Sequence, residues 1–329
     1  MQCAFQQRPK LIQWHGYNDE RWTKYIEMLE TSDLPQPRLA LQWARRAARQ
    51  LPFILSEVQA RMIARAEIIR PCEGGVVVHG WLHHDAVAPV QSLFPERKLI
   101  TVAPLLRHDE AHIKSGVSGF GTLMRKVLGT SREPELEQLV CPPGQALPVS
   151  EASTALLWSP LWLQCFDDPV DLFEDWFRVL KLQGCVFFST LGPDTANVLR
   201  RVAGPMNLPF PEYTDMHDLG DLMTQAGFSD PVMEMEKITL TYADANRLLD
   251  EWRDLFGGHR QPGSSGLKGR QFKQALVAEL EKQRSPADGR IHLVLEVVYG
   301  HAWKVKPKMA PGEALISVDN LRSKKPKVS

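Results

Sequence analysis

Between Arg38 and Arg70 apolar residues recur at spacings of four and seven, as in Leu39, Trp43, Ala47, Ile54, Val58, Met62 and Ala66. That spacing predicts helix, split or kinked at Pro52 and ended by Pro71 and Gly74-Gly75. The pattern then alternates. Val76-Val77-Val78 predicts a short buried strand, Asp85 to Phe94 a helix, and Lys98 to Ala103 a second strand. Residues 104–145 mix helical stretches with Gly and Pro and show no clear period. Further on, Thr154 to Trp158 reads as strand, Val170 to Leu180 as helix, and Gly184 to Thr190 as a very apolar strand. A helix opens at Pro193-Asp194, and another runs from Met216 to Ala226, closed by Gly227. Pro231 to Thr241 is a long strand, Ala243 to Phe256 and Arg270 to Gln283 are helices, and Ile291 to Trp303 is the last strand.

Continuous apolar strands alternating with helices imply a largely parallel sheet covered on both faces. The final two strands are longer, and one partly alternates (Lys237, Thr239, Thr241), which fits an antiparallel pair at a sheet edge. Residues 1–37 form a polar N-terminal extension ending at Leu34-Pro35-Gln36-Pro37, and residues 38–306 carry the patterned domain. Residues 307–329 are a basic tail, with Lys308, Arg322, Lys324, Lys325 and Lys327 against Glu313 and Asp319, expected to be solvated and disordered.

Composition narrows the function classes. The 329 residues hold 39 Lys+Arg and 39 Asp+Glu, so formal charge is zero, which argues against nucleic acid as a partner. No run approaches the ~18 apolar residues of a membrane span, and Met1 to Leu11 has no apolar signal-peptide core. The five cysteines, Cys3, Cys72, Cys141, Cys165 and Cys185, are widely spaced without a C-x-x-C, so reduced thiols in a cytoplasmic protein are expected.

Several motifs tempt. Asp109-Glu110-Ala111-His112 spells a helicase-type box, but the phosphate-cradling loop such chemistry needs is missing. His108 and His112 are four apart without the Glu of a zinc-protease helix. His79, His83, His84 and Asp85 cluster, yet a loop after a strand holds stray histidines without function, and no metal is expected. Gly116, Gly119 and Gly121 neither follow a convincing strand nor match G-x-G-x-x-G. Asp167-Asp168 before Pro169 reads most simply as a helix start.

Three stretches are less generic: Phe187-Phe188-Ser189-Thr190-Leu191-Gly192-Pro193-Asp194-Thr195, Tyr213-Thr214-Asp215-Met216-His217-Asp218-Leu219-Gly220, and Ala226-Gly227-Phe228-Ser229-Asp230-Pro231-Val232-Met233. Together with Leu163-Gln164, Thr239-Leu240-Thr241-Tyr242 and Glu296 to Trp303, they closely resemble the malonyl-acyl-carrier-protein O-methyltransferases of bacterial biotin synthesis. The resemblance runs from about Arg38 to Lys306, strongest from Ala146 onward. It implies an α/β class I methyltransferase (Rossmann-like) fold: a seven-stranded sheet, mostly parallel with a terminal antiparallel hairpin, helices on both faces. It also implies methyl transfer from S-adenosylmethionine to the carboxylate of a malonyl thioester on acyl carrier protein. That carboxylate is ionised at neutral pH, so alignment and a cation matter more than a general base. Arg200 or Arg201 is the candidate for that cation. Gly80, Leu147, Ser159 and Leu163 would lie along the cofactor.

The chain departs from the family where the cofactor is held. The family's first strand ends in Asp-x-Gly-x-Gly-x-Gly. Aligned without gaps, the Asp falls on Val78 and the glycines on Gly80, Leu82 and His84, so one glycine survives. The ribose-gripping acid falls on Ala103, the acid near the adenine falls near Pro143, and the family's Ser-Asn reads Ser159-Pro160. The lid's Tyr-Asp falls near Ala48 and Arg49. A charge-assisted hydrogen bond contributes about 1.5–3 kcal/mol, so losing two or three costs on the order of 10²–10⁶ in affinity. The expectation is a pseudo-methyltransferase with a binding role and lost or weakened S-adenosylmethionine binding. The alternative is an active enzyme with a remodelled site using Asp85, Asp109 or Glu110. Acidic acyl carrier protein would dock on a positive face, with Arg45-Arg46-Arg49 and the lysine-rich tail as candidates.

Overall fold

The computed structural model describes residues 53–67, 69–80, 84–104, 136–141, 144–166, 169–206, 210–256 and 270–306. Among these residues seven strands and seven helices are ordered α1 (Phe53–Ala66), β1 (Gly75–His79), α2 (His84–Leu93), β2 (Leu99–Ala103), β3 (Leu136–Val140), β4 (Thr154–Ser159), α3 (Val170–Val179), β5 (Leu180–Leu191), α4 (Asn197–Ala203), α5 (Met216–Gln225), β6 (Ser229–Tyr242), α6 (Ala245–Phe256), α7 (Arg270–Glu281) and β7 (Ile291–Trp303). A short 3-10 turn covers Leu163–Cys165 between β4 and α3.

One sheet runs in the order β3-β2-β1-β4-β5-β7-β6. The first five strands are parallel, and β7 is antiparallel to both β5 and β6. This is the class I methyltransferase arrangement expected from the resemblance. The last two strands are joined through α6 and α7 rather than by a tight turn.

The alternation of side chains along each strand sorts the core into two layers. Val76 and Val78 of β1 join Ile54, Val58 and Met62 of α1 on one face, where α2, α4, α6 and α7 also pack. Val77 joins Phe173 and Trp176 of α3 and Met223 of α5 on the other. The four-residue spacing in α1 thus marks its buried stripe. An ionic cluster fixes α1 to the far edge of the sheet: Arg65 bonds Glu234 at 2.7 Å and Glu236 at 3.2 Å and lies 4.1 Å over the Tyr299 ring.

β3 interrupts a stretch with no clear period in the sequence. Its Leu136-Glu137-Gln138-Leu139-Val140 is polar at the centre because β3 is an edge strand with one neighbour. β5 starts at Leu180, earlier than the predicted Gly184, with a register shift against β4. The N-terminal part of the predicted Arg38–Arg70 helix lies outside the described residues. No helix among the described residues is long and apolar enough to cross a membrane.

Candidate functional site

Strand order reverses between β1 and β4: the chain steps outward from β1 to β2 and β3, then returns to β4 on the other side. In open α/β sheets the crevice beyond the strand ends at such a switch point is where ligands bind. Here its walls are the residues ending β1, β2 and β4.

The β1 tip is bonded to its neighbours. His79 is buried, and its Nδ1 accepts the Trp176 indole N–H at 3.0 Å. That partner assigns the ring proton to Nε2. Full desolvation pushes the His79 pKa down to about 3, so the imidazole is neutral. Ser159 Oγ donates to the His79 carbonyl at 3.3 Å, and the Gly80 N–H donates to the Val102 carbonyl at 2.8 Å.

Gly80 has φ +110, a conformation that favours glycine. A Cβ built there would stand 2.6 Å from Trp162 Cγ, 2.7 Å from Cδ2 and 2.8 Å from the Trp162 Cβ. The bare face of the glycine is therefore covered by the chain's own indole. Trp162 is 1% exposed and has edge-to-face contacts with His79 at 6.0 Å and Phe166 at 5.9 Å. The turn that delivers it is strained: Leu161 sits at φ +44, its N–H held by Ser189 Oγ at 3.0 Å.

The predicted positions fall as follows. Val78 is fully buried among apolar side chains and pairs with Thr101 and Trp158. Ala103 is buried at the β2 tip, its carbonyl bonded to the Cys141 N–H at 2.9 Å. Leu147 is buried in the layer under α3. Its N–H donates to Asp175 Oδ2 at 2.6 Å, and its carbonyl accepts Arg178 at 2.8 Å. Asp175 is the carboxylate beside the β3 tip, where it helps burial raise the Cys141 thiol to about 12. It is already engaged by Leu147 and by Arg178 at 2.7 Å. Ser159 ends β4 and Leu163 lies buried in the turn beyond it. His84 opens α2. Leu82, Pro143, Arg45, Arg46, Ala48, Arg49, Asp109, Glu110, the three loop glycines and the basic tail lie outside the described residues, and nothing places the Asp85 side chain. Among the described residues no three His, Cys, Asp or Glu side chains gather to hold a metal.

The described residues do not fit S-adenosylmethionine. Neither the Val78 nor the Ala103 side chain can accept a hydrogen bond from a ribose hydroxyl, and the Cβ side of Gly80 is filled by Trp162. A cavity of about 470 Å³ instead lies at the opposite end of the strands, between Ala66, Ile69, Leu93, Phe94 and Arg97.

Beyond β5 the setting differs. Both predicted arginines are on α4; Arg201 is exposed and Arg200 half-buried. Arg200 Nη2 donates to the Pro193 carbonyl at 3.0 Å, and its guanidinium lies 5.1 Å over Phe210, which stacks on Trp252. The Arg200 Nε–H is buried without a hydrogen-bond partner among the described residues. Burial pushes the Tyr213 hydroxyl pKa well up, with the Cys165 thiol adding and the Arg200 charge opposing, so these three groups share one neighbourhood. Trp162 and Phe166 were not singled out from sequence, Cys165 was read only as a reduced thiol, and Tyr213 only as part of a family stretch. The available signal was the apolar run Leu161-Trp162-Leu163, where a loop after a strand is ordinarily polar.

No family model matches the chain. Over 182 residues it is 40% identical to the malonyl-acyl-carrier-protein O-methyltransferase of Gallionella capsiferriformans, covering 54% of this chain and 62% of that protein. Over 255 residues it is 32% identical to the protein of the same name from Laribacter hongkongensis, covering 67% of this chain and 84% of that one. Among solved structures, the YcgJ protein of Bacillus subtilis superposes with a TM-score of 0.47 at 14% identity, covering 76% of this chain and 99% of that one.

Proposed function

The chain belongs to the malonyl-acyl-carrier-protein O-methyltransferase family, and on that premise we propose that it is a pseudo-methyltransferase, with lost or weakened S-adenosylmethionine binding and a retained binding role. One observation carries the reading: at both strand tips where the family resemblance implies a carboxylate, the residue is a buried apolar one, Val78 and Ala103. Without those acids the ribose would have to leave water unpaired, at about 1–3 kcal/mol per buried polar group.

What the chain retains is an anion anchor. The malonyl carboxylate of a thioester on acyl carrier protein is the ligand that Arg200 suits, since its Nε–H is desolvated and unmet. Phe210 and Pro193 already hold the guanidinium in place, so little entropy is lost on binding. Asp215 caps α5 through the His217 N–H at 2.8 Å and keeps the Tyr213 side of this region ordered.

Isothermal titration of the full chain with S-adenosylmethionine tests the reading. No binding tighter than about 100 μM, roughly −5.5 kcal/mol, is expected. Tighter binding would return the alternative, an active carboxyl methyltransferase with a remodelled site. Titration with malonyl-acyl-carrier protein should show saturable binding that Arg200→Ala weakens by about 10–100-fold, the worth of one charge-assisted hydrogen bond. An unchanged affinity removes Arg200 from the site.

A further inference from the structure

We infer that the Trp162 indole is what keeps a nucleoside out of the switch-point crevice, and that removing it opens a slot for a planar aromatic heterocycle against Gly80 and His79. This rests on the proposed loss of cofactor binding and names its cause.

Two deficits coexist at the strand tips, and they act differently. The missing carboxylates at Val78 and Ala103 remove attraction, each worth about 10–100-fold in affinity. A filled slot does more, because a ligand must first expel a packed side chain. Trp162 fills it tightly: a single methyl group added at Gly80 would fall within 2.6–2.8 Å of three Trp162 atoms. Gly80 at φ +110 supplies the flat, bare backbone surface that a close-approaching ring needs, and here the ring is the protein's own.

The walls left by removing the indole suit an aromatic guest. His79 and Phe166 present their rings at 67° and 78° to the indole plane, edge-to-face contacts that another heterocycle could take over. His79 cannot swing into the gap without breaking its bond to Trp176. The Leu161 turn is held from β5 by Ser189, so the backbone of the slot does not depend on the indole.

The test titrates S-adenosylhomocysteine into the full chain and two variants. The wild type should not saturate. Trp162→Ala should bind at least tenfold more tightly than wild type, with adenosine competing. Val78→Asp with Ala103→Glu, Trp162 intact, should stay as weak as wild type. A folded Trp162→Ala that binds no better than wild type overturns the inference while leaving the proposed loss of cofactor binding standing, as does binding by the two-acid variant with Trp162 in place. Tight binding by the wild type overturns both. Near-UV circular dichroism reports folding, and millimolar indole should raise the melting temperature of Trp162→Ala by refilling the slot. If Trp162→Ala gives no cooperative melt, Trp162→Leu is titrated instead with the same two outcomes.

Discussion

At the tips of β1 and β4 His79, Ser159 and Gly80 are bonded to neighbouring groups, although the buried Trp158 indole N–H of β4 has no partner among the described residues, and beyond β5 the Arg200 Nε–H has none either. His79 meets Trp176, its carbonyl meets Ser159, and Gly80 meets Val102. Among the described residues the buried Arg200 Nε–H has no acceptor. The bonds and interlocked rings around His79 lower the free energy of the folded chain. An unmet buried donor such as the Arg200 Nε–H costs about 1–3 kcal/mol of stability. Both regions border one sheet.

Acid gives an effect as large as any on this contrast. The His79 pKa is depressed in the folded state to about 3 from an ordinary 6.5. Between those values the unfolded chain binds more protons. The stabilisation is therefore complete above about pH 6.5 and is lost as pH falls toward 3, at up to roughly 1.4 kcal/mol per pH unit. Denaturant melts across pH 7 to 4 should show a steep decline in the wild type that His79→Gln flattens. Equal slopes would mean the closed tip does not exclude water.

Next in size is the packing of Trp162 against Gly80. Trp162→Ala should cost about 3–5 kcal/mol, and Gly80→Ala about 2–4 from overpacking and positive φ together. In the double variant the costs should not add, because the ring that Gly80→Ala strikes is gone. Strict additivity in urea melts would show that the two residues are not in contact.

The smallest effect is expected beyond β5, and with the opposite sign. Arg200→Leu keeps apolar contact with Phe210 while removing the unmet Nε–H, so stability should stay level or rise by about 1 kcal/mol, even as malonyl thioester binding falls. A loss of more than about 2 kcal/mol would mark Arg200 as a structural residue.

Most of the architecture was legible because its strands are buried on both faces. Val76-Val77-Val78, Thr154 to Trp158 and the β7 segment are apolar runs that only strand or buried helix can use, and their lengths decide for strand. β3 was not legible, since an edge strand needs apolar residues on one side only, and Glu137 and Gln138 interrupt its run. That apolar Val78 and Ala103 stand near the strand tips was visible by position in the chain. The indole that occupies the crevice was not, because Trp162 reaches Gly80 from 82 residues away, across two neighbouring strands.

Periodicity, the succession of apolar runs and the family stretches are local or collinear properties, so the amino-acid sequence alone determined the fold class and which residues end each strand. Whether a missing group leaves a hole or a filled space depends on which side chains converge there in three dimensions. The αL turn at Leu161, the hydroxyl of Ser189 that holds it and the bare face of Gly80 come from three separate strand ends. Only their meeting at the sheet's switch point decided that an indole covers the bare face of Gly80.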